Sequence, residues 1–343
     1  MIWMVGAAAL AVEPPVFSAE RGFYDTPVSL ELTHLDPNAS VYYTTDGSIP
    51  HFLTSTEYTG PIDITTNAYV RAYACDATDC SKPVTHTYLF MADILAQGTP
   101  ATLPTMWGDA PADYEMDPEI VNDPVWGPQV EPSLRALPTM SMVLPMDDLF
   151  DEHIGIYIHS TLRAPQWDRA CSVEYFAENT GESFHVDAGT HISGGASRTQ
   201  TRSPKHSFRL LFKSQYGPAN LDYDFFQEEG AVDEFDTLNL RAGYNSSWHH
   251  WGEFDRRRAQ YARDEFARRL QREMGHHSGR GVYVHLYLNG MYWGVHNLHE
   301  RPDAGFLHRY MGGNKDDWDA LNSGDPTDGD LIAWNELIAR MAL

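Results

Sequence analysis

The feature that most constrains the fold is a recurrence of short runs that alternate apolar and polar residues between turn residues. Residues 28–33, 40–45, 69–74 and 85–90 all keep this period of two, and Asp46-Gly47-Ser48 punctuates them as a tight turn. Successive side chains of an extended chain point to opposite faces, so these runs are expected to be half-buried strands of an antiparallel sandwich. The same grammar returns further on, at residues 139–144, 171–177, 207–212 and 235–242. Residues 282–288 and 291–298 are two aromatic-rich runs joined by Asn289-Gly290, the strongest short-range hairpin signal in the chain.

The chain has 343 residues, 42% of them hydrophobic and 12% aromatic, enough for two or three domains with real cores. Its 48 Asp+Glu against 24 Lys+Arg give a formal charge of -24, a field that opposes nucleic acid and anionic membranes as partners. Residues 1–12 form an apolar run too short to span a bilayer, and they read as a signal remnant that lacks a basic start, which points to export. No other stretch suggests a transmembrane segment. Cys75 and Cys80 are close enough to close a small disulfide loop or to stay reduced, and Cys171 stands alone.

Four segments follow: the remnant 1–12, a β-sandwich over 13–90, a connector over 91–138 and a second domain over 139–343. The connector is rich in Pro, Gly, Asp and Trp, has little periodicity, and is expected to pack as extended chain on its neighbours. Its acids fit no EF-hand or zinc spacing. In the second domain residues 255–274 are the clear helix, with Ala259, Ala262, Phe266, Leu270 and Met274 at helical spacing opposite a face of arginines that is expected to be solvated or paired with acids. Residues 331–343 are expected to form a further helix.

One loop carries chemistry. Gly194-Gly195 lies between two strands and frees backbone N–H groups to face an anion, while Ser197, Arg198, Arg202 and Lys205 supply hydroxyl and cationic donors. The loop has neither the Gly-Lys-Ser/Thr of a Walker loop nor a dinucleotide fingerprint. There is also no His-Glu-x-x-His helix, no Gly-x-Ser-x-Gly elbow and no zinc spacing, and the pairs His249-His250 and His276-His277 are adjacent residues that point apart.

Two resemblances rest on these residues. Pro15-Val-Phe-Ser18, Gly22-Phe-Tyr24, Tyr43-Thr-Thr-Asp-Gly-Ser-Ile-Pro50, Tyr58-Thr-Gly-Pro61 and Val70-Arg-Ala72 resemble the small β-sandwich at the C-terminus of chitobiases and β-hexosaminidases. That module is accessory, so the resemblance implies no activity. Ser193-Gly-Gly-Ala-Ser-Arg198, Pro204-Lys-His-Ser-Phe-Arg209, Leu238-Asn-Leu-Arg241, Arg263-Asp264, Val284-His-Leu-Tyr-Leu-Asn-Gly-Met-Tyr-Trp-Gly294 and Asn297-Leu-His-Glu-Arg301 resemble the spore-coat protein H (CotH) kinase-like family. Gly155-Ile-Tyr157 and Ser172-Val-Glu174 extend that match.

The resemblance implies a multidomain protein, an all-β immunoglobulin-like sandwich followed by an α+β atypical protein-kinase-like lobe. It implies use of ATP with Mg or Mn to phosphorylate serine in secreted, surface or coat proteins, an extracytoplasmic location, and polysaccharide as a further partner. The nucleotide-binding candidates are then Gly194, Gly195, Ser197, Arg198, Lys205, Glu265 and Glu300. Lys205 is implied as the phosphate-binding lysine, Glu265 as its helical partner with Asp264 and Glu273 as alternatives, and Glu300 as the neighbour of adenine. Ser193 stands where many members carry Arg. The resemblance also implies that the chain ends before the catalytic Asp and the metal-binding acid, so it is expected to be an N-terminal part, inactive alone, with no catalytic or metal residue assigned. The rival reading is a surface or matrix scaffold. A competent lobe predicts Lys205 and its acid in one cleft with Ser197 and Arg198, and a scaffold predicts these groups scattered or paired elsewhere.

Overall fold

The computed structural model describes residues 12–163 and 165–342. Nearly all of the signal-like run at 1–12 therefore lies outside the described residues.

The first half forms a sandwich-like module. Its main sheet has five strands in the order Gly22–Tyr24, Val84–Phe90, Ala68–Cys75, Ser40–Thr44 and Thr56–Glu57, and two-stranded pairs join Val28–Leu30 to Ile62–Ile64 and Val16–Phe17 to Leu32–Thr33. The run expected as one strand over 28–33 is divided at Glu31, because its two halves pair with different partners. Leu30, Leu32, Val41, Ile64, Val70, Ala72 and Tyr88 fill the space between the layers. Cys75 and Cys80 are joined as a disulfide, and Cys171 is buried and free.

The second half is built on a closed barrel, a closure that the expected α+β lobe does not include. Around it run Thr139–Val143, Arg169–Ala177, Glu182–Ser193, Ser207–Leu211, Thr237–Arg241, Met291–His299 and Gly281–Leu288. All neighbours are antiparallel except the closing pair, in which Gly281–Leu288 lies parallel to Thr139–Val143. Closure removes both free sheet edges. At the hairpin, Asn289 and Gly290 have φ of 48° and 74°, the two left-handed positions that a two-residue turn needs. Asn289 then uses its side chain on both backbone groups of Leu144, tying the hairpin to the end of the first barrel strand.

The connector belongs to the barrel core. Trp107 and Tyr114 are fully buried against Phe150, Tyr157 and Trp293, and the Trp107 Nε1–H donates to the Tyr114 hydroxyl at 2.8 Å. It also contains the helix Gly127–Ala136, whose periodicity is hidden by Pro128 and Pro132.

The helix expected over 255–274 is two helices, Glu253–Arg256 and Arg263–Glu273. Between them the Tyr261 carbonyl accepts from the Tyr283 hydroxyl at 2.7 Å, a tertiary bond that takes this acceptor out of the helical ladder. In the longer helix the polar side faces the barrel: Arg268 and Arg272 are largely enclosed, while Phe266, Leu270 and Met274 are exposed. The helix Ile332–Met341 matches expectation. Among the described residues no helix is long and apolar enough to cross a membrane.

Candidate functional site

The Gly194 loop sits at one end of the barrel. Gly194 has φ 117°, and a Cβ there would lie 2.3 Å from the Ser197 hydroxyl, so glycine is required. Arg163 donates to the Gly194 carbonyl at 3.1 Å, holding the loop against the segment before the second barrel strand.

The seven candidate residues do not converge. Arg198 is buried, and its Nη1 donates to the carbonyls of Thr161 and Leu162 at 2.8 and 3.2 Å, so its charge caps a turn. The Ser197 carbonyl accepts from His206 Nδ1–H at 3.0 Å. Lys205 turns under the connector: its ammonium lies 4.1 Å from the Trp293 ring centroid and 5.4 Å from that of Trp107, and it donates to the Asp113 carbonyl. Burial pulls its pKa down to about 8, against the charges of Asp113 and Glu115.

The implied pairing of Lys205 with Glu265 is therefore absent. Glu265 instead accepts from Arg268 and Arg272 at 2.8 and 3.5 Å. Glu300 is also committed, its carboxylate accepting the Arg280 backbone N–H at 2.8 Å and the Tyr310 hydroxyl at 2.7 Å. Burial pushes the Glu300 carboxyl up, and these two bonds and the Arg280 charge pull it back. A low-dielectric interior requires each ionic group to find partners locally, and spacing along the chain does not say which.

A different group does assemble, on the outer face of the barrel. Strand registers place Ser193 opposite Ser207, Arg241 opposite Asn297, and Asn297 opposite Tyr283; the Ser207 hydroxyl accepts from the Ala242 N–H at 3.0 Å, which puts Arg241 beside it. One step along, His191, Arg209, Asn239 and His299 form a parallel row. Alternation explains both rows: Phe208, Leu210, Leu238 and Leu240 point into the core, so Arg209, Asn239 and Arg241 point out.

The helix Arg263–Glu273 lies across this face. Arg241 makes an ion pair with Asp264, and Arg268 donates to the Asn297 side chain. Close approach of helix and strand demands Gly281, where a Cβ would meet Glu265 Oε2 at 2.6 Å and Asn297 Oδ1 at 2.9 Å. Arg241, Ser246, Tyr261, Asp264, Tyr283 and Asn297 enclose a cavity of about 10 Å³, room for one water. Burial pulls Arg209 down to about 10, and Arg301 adds to that effect. Three guanidiniums, Arg209, Arg241 and Arg268, thus share a face with the amides of Asn239 and Asn297, a donor set suited to an anion.

Arg241 and Arg263 were visible in the sequence as motif residues with no role attached, and Asp264 only as an alternative partner for Lys205. The signal that finds them is positional: a cation on the outward side of a strand, followed by a helix with an acid in its first turn. Among the described residues no group of three or more His, Cys, Asp or Glu is gathered in a way that could hold a metal ion.

Fold and site together define a β-rich protein in which a sandwich-like module is joined to a barrel with an arginine–carboxylate face. Residues 191–340 match the family model of the CotH kinase protein, and residues 19–87 that of the Chitobiase/beta-hexosaminidase C-terminal domain. No curated protein matches the chain.

Proposed function

We propose that this CotH kinase protein domain binds ATP by its phosphates against the outer barrel face and serves the phosphorylation of serine in secreted or surface proteins. The observation that carries this reading is the Arg241–Asp264 pair. It joins the strand after the glycine-loop hairpin to the helix that follows, and two further strands and a turn through Glu300 come next. Hairpin, cationic strand, acidic helix and second hairpin is the order in which a kinase-type first lobe presents its phosphate-binding cation.

In this reading Asp264 fixes the Arg241 guanidinium, which neutralises phosphate charge with help from Arg209, and Asn297 and the Gly194-Gly195 backbone orient the same oxygens. A divalent ion, Mg or Mn, bound with the nucleotide supplies charge neutralisation between phosphates. The residues present fit the phosphates, and we assign none of them to the ion. The Cys75–Cys80 disulfide supports an extracytoplasmic setting.

A second reading, a non-catalytic scaffold, is favoured by one observation: Arg198, Lys205, Glu265 and Glu300 are each paired elsewhere. Calorimetric titration with ATP, in Mg²⁺ and separately in Mn²⁺, separates the two. Binding that is lost in Arg241→Ala and retained in Lys205→Ala is expected. Failure of the native protein to bind ATP with either ion, its fold verified, rejects the kinase reading and leaves the scaffold.

A further inference from the structure

A second cleft, of about 580 Å³, opens beside the barrel, with the connector turn on one side and the loop before Glu253–Arg256 on the other. Its makeup differs from that of the arginine face. Asp109, Asp113 and Glu115 contribute three carboxylates, Thr201 a hydroxyl, and Trp248 and Trp251 two indoles.

The two tryptophans are 69% and 59% exposed, an unusual position for so much apolar surface. They are nonetheless anchored. Trp248 packs edge-on against Tyr261 with ring centroids 5.1 Å apart, while the Trp251 backbone N–H donates to the Arg202 carbonyl at 3.0 Å and the Trp251 ring lies 5.9 Å from the Arg202 guanidinium. Exposed rings held in place in this way form a platform whose ordering cost has already been met.

Opposite them, Asp113 is oriented by His249 at 3.5 Å and by its own carbonyl bond to Lys205. Flat apolar rings facing acceptor-rich carboxylates complement a ligand with an apolar C–H face and donor hydroxyls at its edge. The carboxylates repel phosphate, sulfate and uronate, and Arg256 with the buried Lys205 beside Asp113 and Glu115 leaves the three of them in excess.

We propose that this cleft binds a neutral or amino-sugar oligosaccharide of hexoses, with sugar faces stacked on Trp248 and Trp251 and hydroxyl or ammonium groups donating to Asp109 and Asp113. The cleft lies in the barrel half of the molecule, so the proposal does not rest on the sandwich-like module, nor on ATP binding.

The test is calorimetric titration of the full chain with the pentasaccharides of β-1,4-linked N-acetylglucosamine, glucosamine and glucose, with pentagalacturonate as the anionic comparison. Saturable binding of at least one of the first three is expected, weakened about tenfold or more in Trp251→Ala and in Trp248→Ala. Tyr42→Ala, which removes a half-buried ring from the strand Ser40–Thr44 of the sandwich module, should leave it unchanged, and the galacturonate should not bind. Far-UV circular dichroism verifies folding, and either tryptophan variant suffices if the other is unfolded. If both unfold, Asp109→Asn takes their place, and glucosamine binding that it leaves unchanged contradicts the proposal. The proposal is overturned if none of the three binds, if Tyr42→Ala abolishes binding while the tryptophan variants keep it, or if pentalysine binds in a Trp251-dependent manner where the saccharides do not.

Discussion

His86, His206 and His296 are buried deep enough that each must fold neutral. His86 stacks on Phe17 with centroids 4.2 Å apart and is pulled down to about 3 by burial and by the neighbouring Arg21 charge; His206 and His296 are pulled down to about 4 by burial, against their bonds to backbone carbonyls. All three folded values lie below the usual 6.5. The unfolded chain therefore binds more protons between pH 6.5 and about 4, and stability rises with pH through that window and is lost as pH falls through it. Each histidine contributes a slope of up to ~1.4 kcal/mol per pH unit there. Urea midpoints measured at half-unit steps should fall steeply below pH 6.5, and His206→Gln should flatten the fall. A profile without slope between pH 6.5 and 4.5 would contradict this assignment. Burial is also what separated Lys205 from its expected partner: a spacing argument locates a lysine in the chain, but the rings of Trp107 and Trp293 come from segments almost a hundred residues away on either side.

Elements defined by a local rule were legible. The Asn289-Gly290 hairpin, the barrel strands and the last helix follow from turn chemistry and period two or 3.6. Where tertiary bonds decide, the pattern misleads. The arginine side of Arg263–Glu273 packs inward because Glu228 and Asn297 wait there, and the apolar stripe Phe266, Leu270, Met274 is left outside. Barrel closure was invisible too, since a parallel contact between residues 139–142 and 285–288 leaves no mark on either stretch. Of the candidate site, the glycine loop and the motif residues could be read, but the outward rows of Arg209 and Arg241 needed the strand registers. The contact of helix and strand at Gly281 makes a direct element-scale prediction. Gly281→Ala should cost about 1–3 kcal/mol by forcing Glu265 and Asn297 apart, measured by urea denaturation. A change within ~0.5 kcal/mol would mean the helix is not seated as described.

The two halves are joined through buried polar groups. Glu174 on the barrel accepts from the Thr87 N–H at 3.0 Å and from the Thr87 hydroxyl, with Arg21 at 3.6 Å. Arg71, 1% exposed, bonds Asp187 of the barrel and the Gly47 carbonyl, both at 3.0 Å. Groups so desolvated tolerate no separation, so the sandwich module and barrel are expected to unfold together. Calorimetry should show one transition for the native chain. Arg71→Ala, which strands Asp187 and the Gly47 carbonyl, should cost ~3 kcal/mol and resolve two transitions. Two transitions in the native protein would contradict the joined interface.

In the proposed function the arginine face, rather than Lys205, receives the nucleotide phosphates. Hydrogen–deuterium exchange with and without ATP and Mn²⁺ locates the contact most directly. Protection is expected over residues 194–198, 239–246 and 297–301, abolished by Arg241→Ala. Protection confined to residues 105–115 and 203–206 around Lys205, or none anywhere, would contradict it.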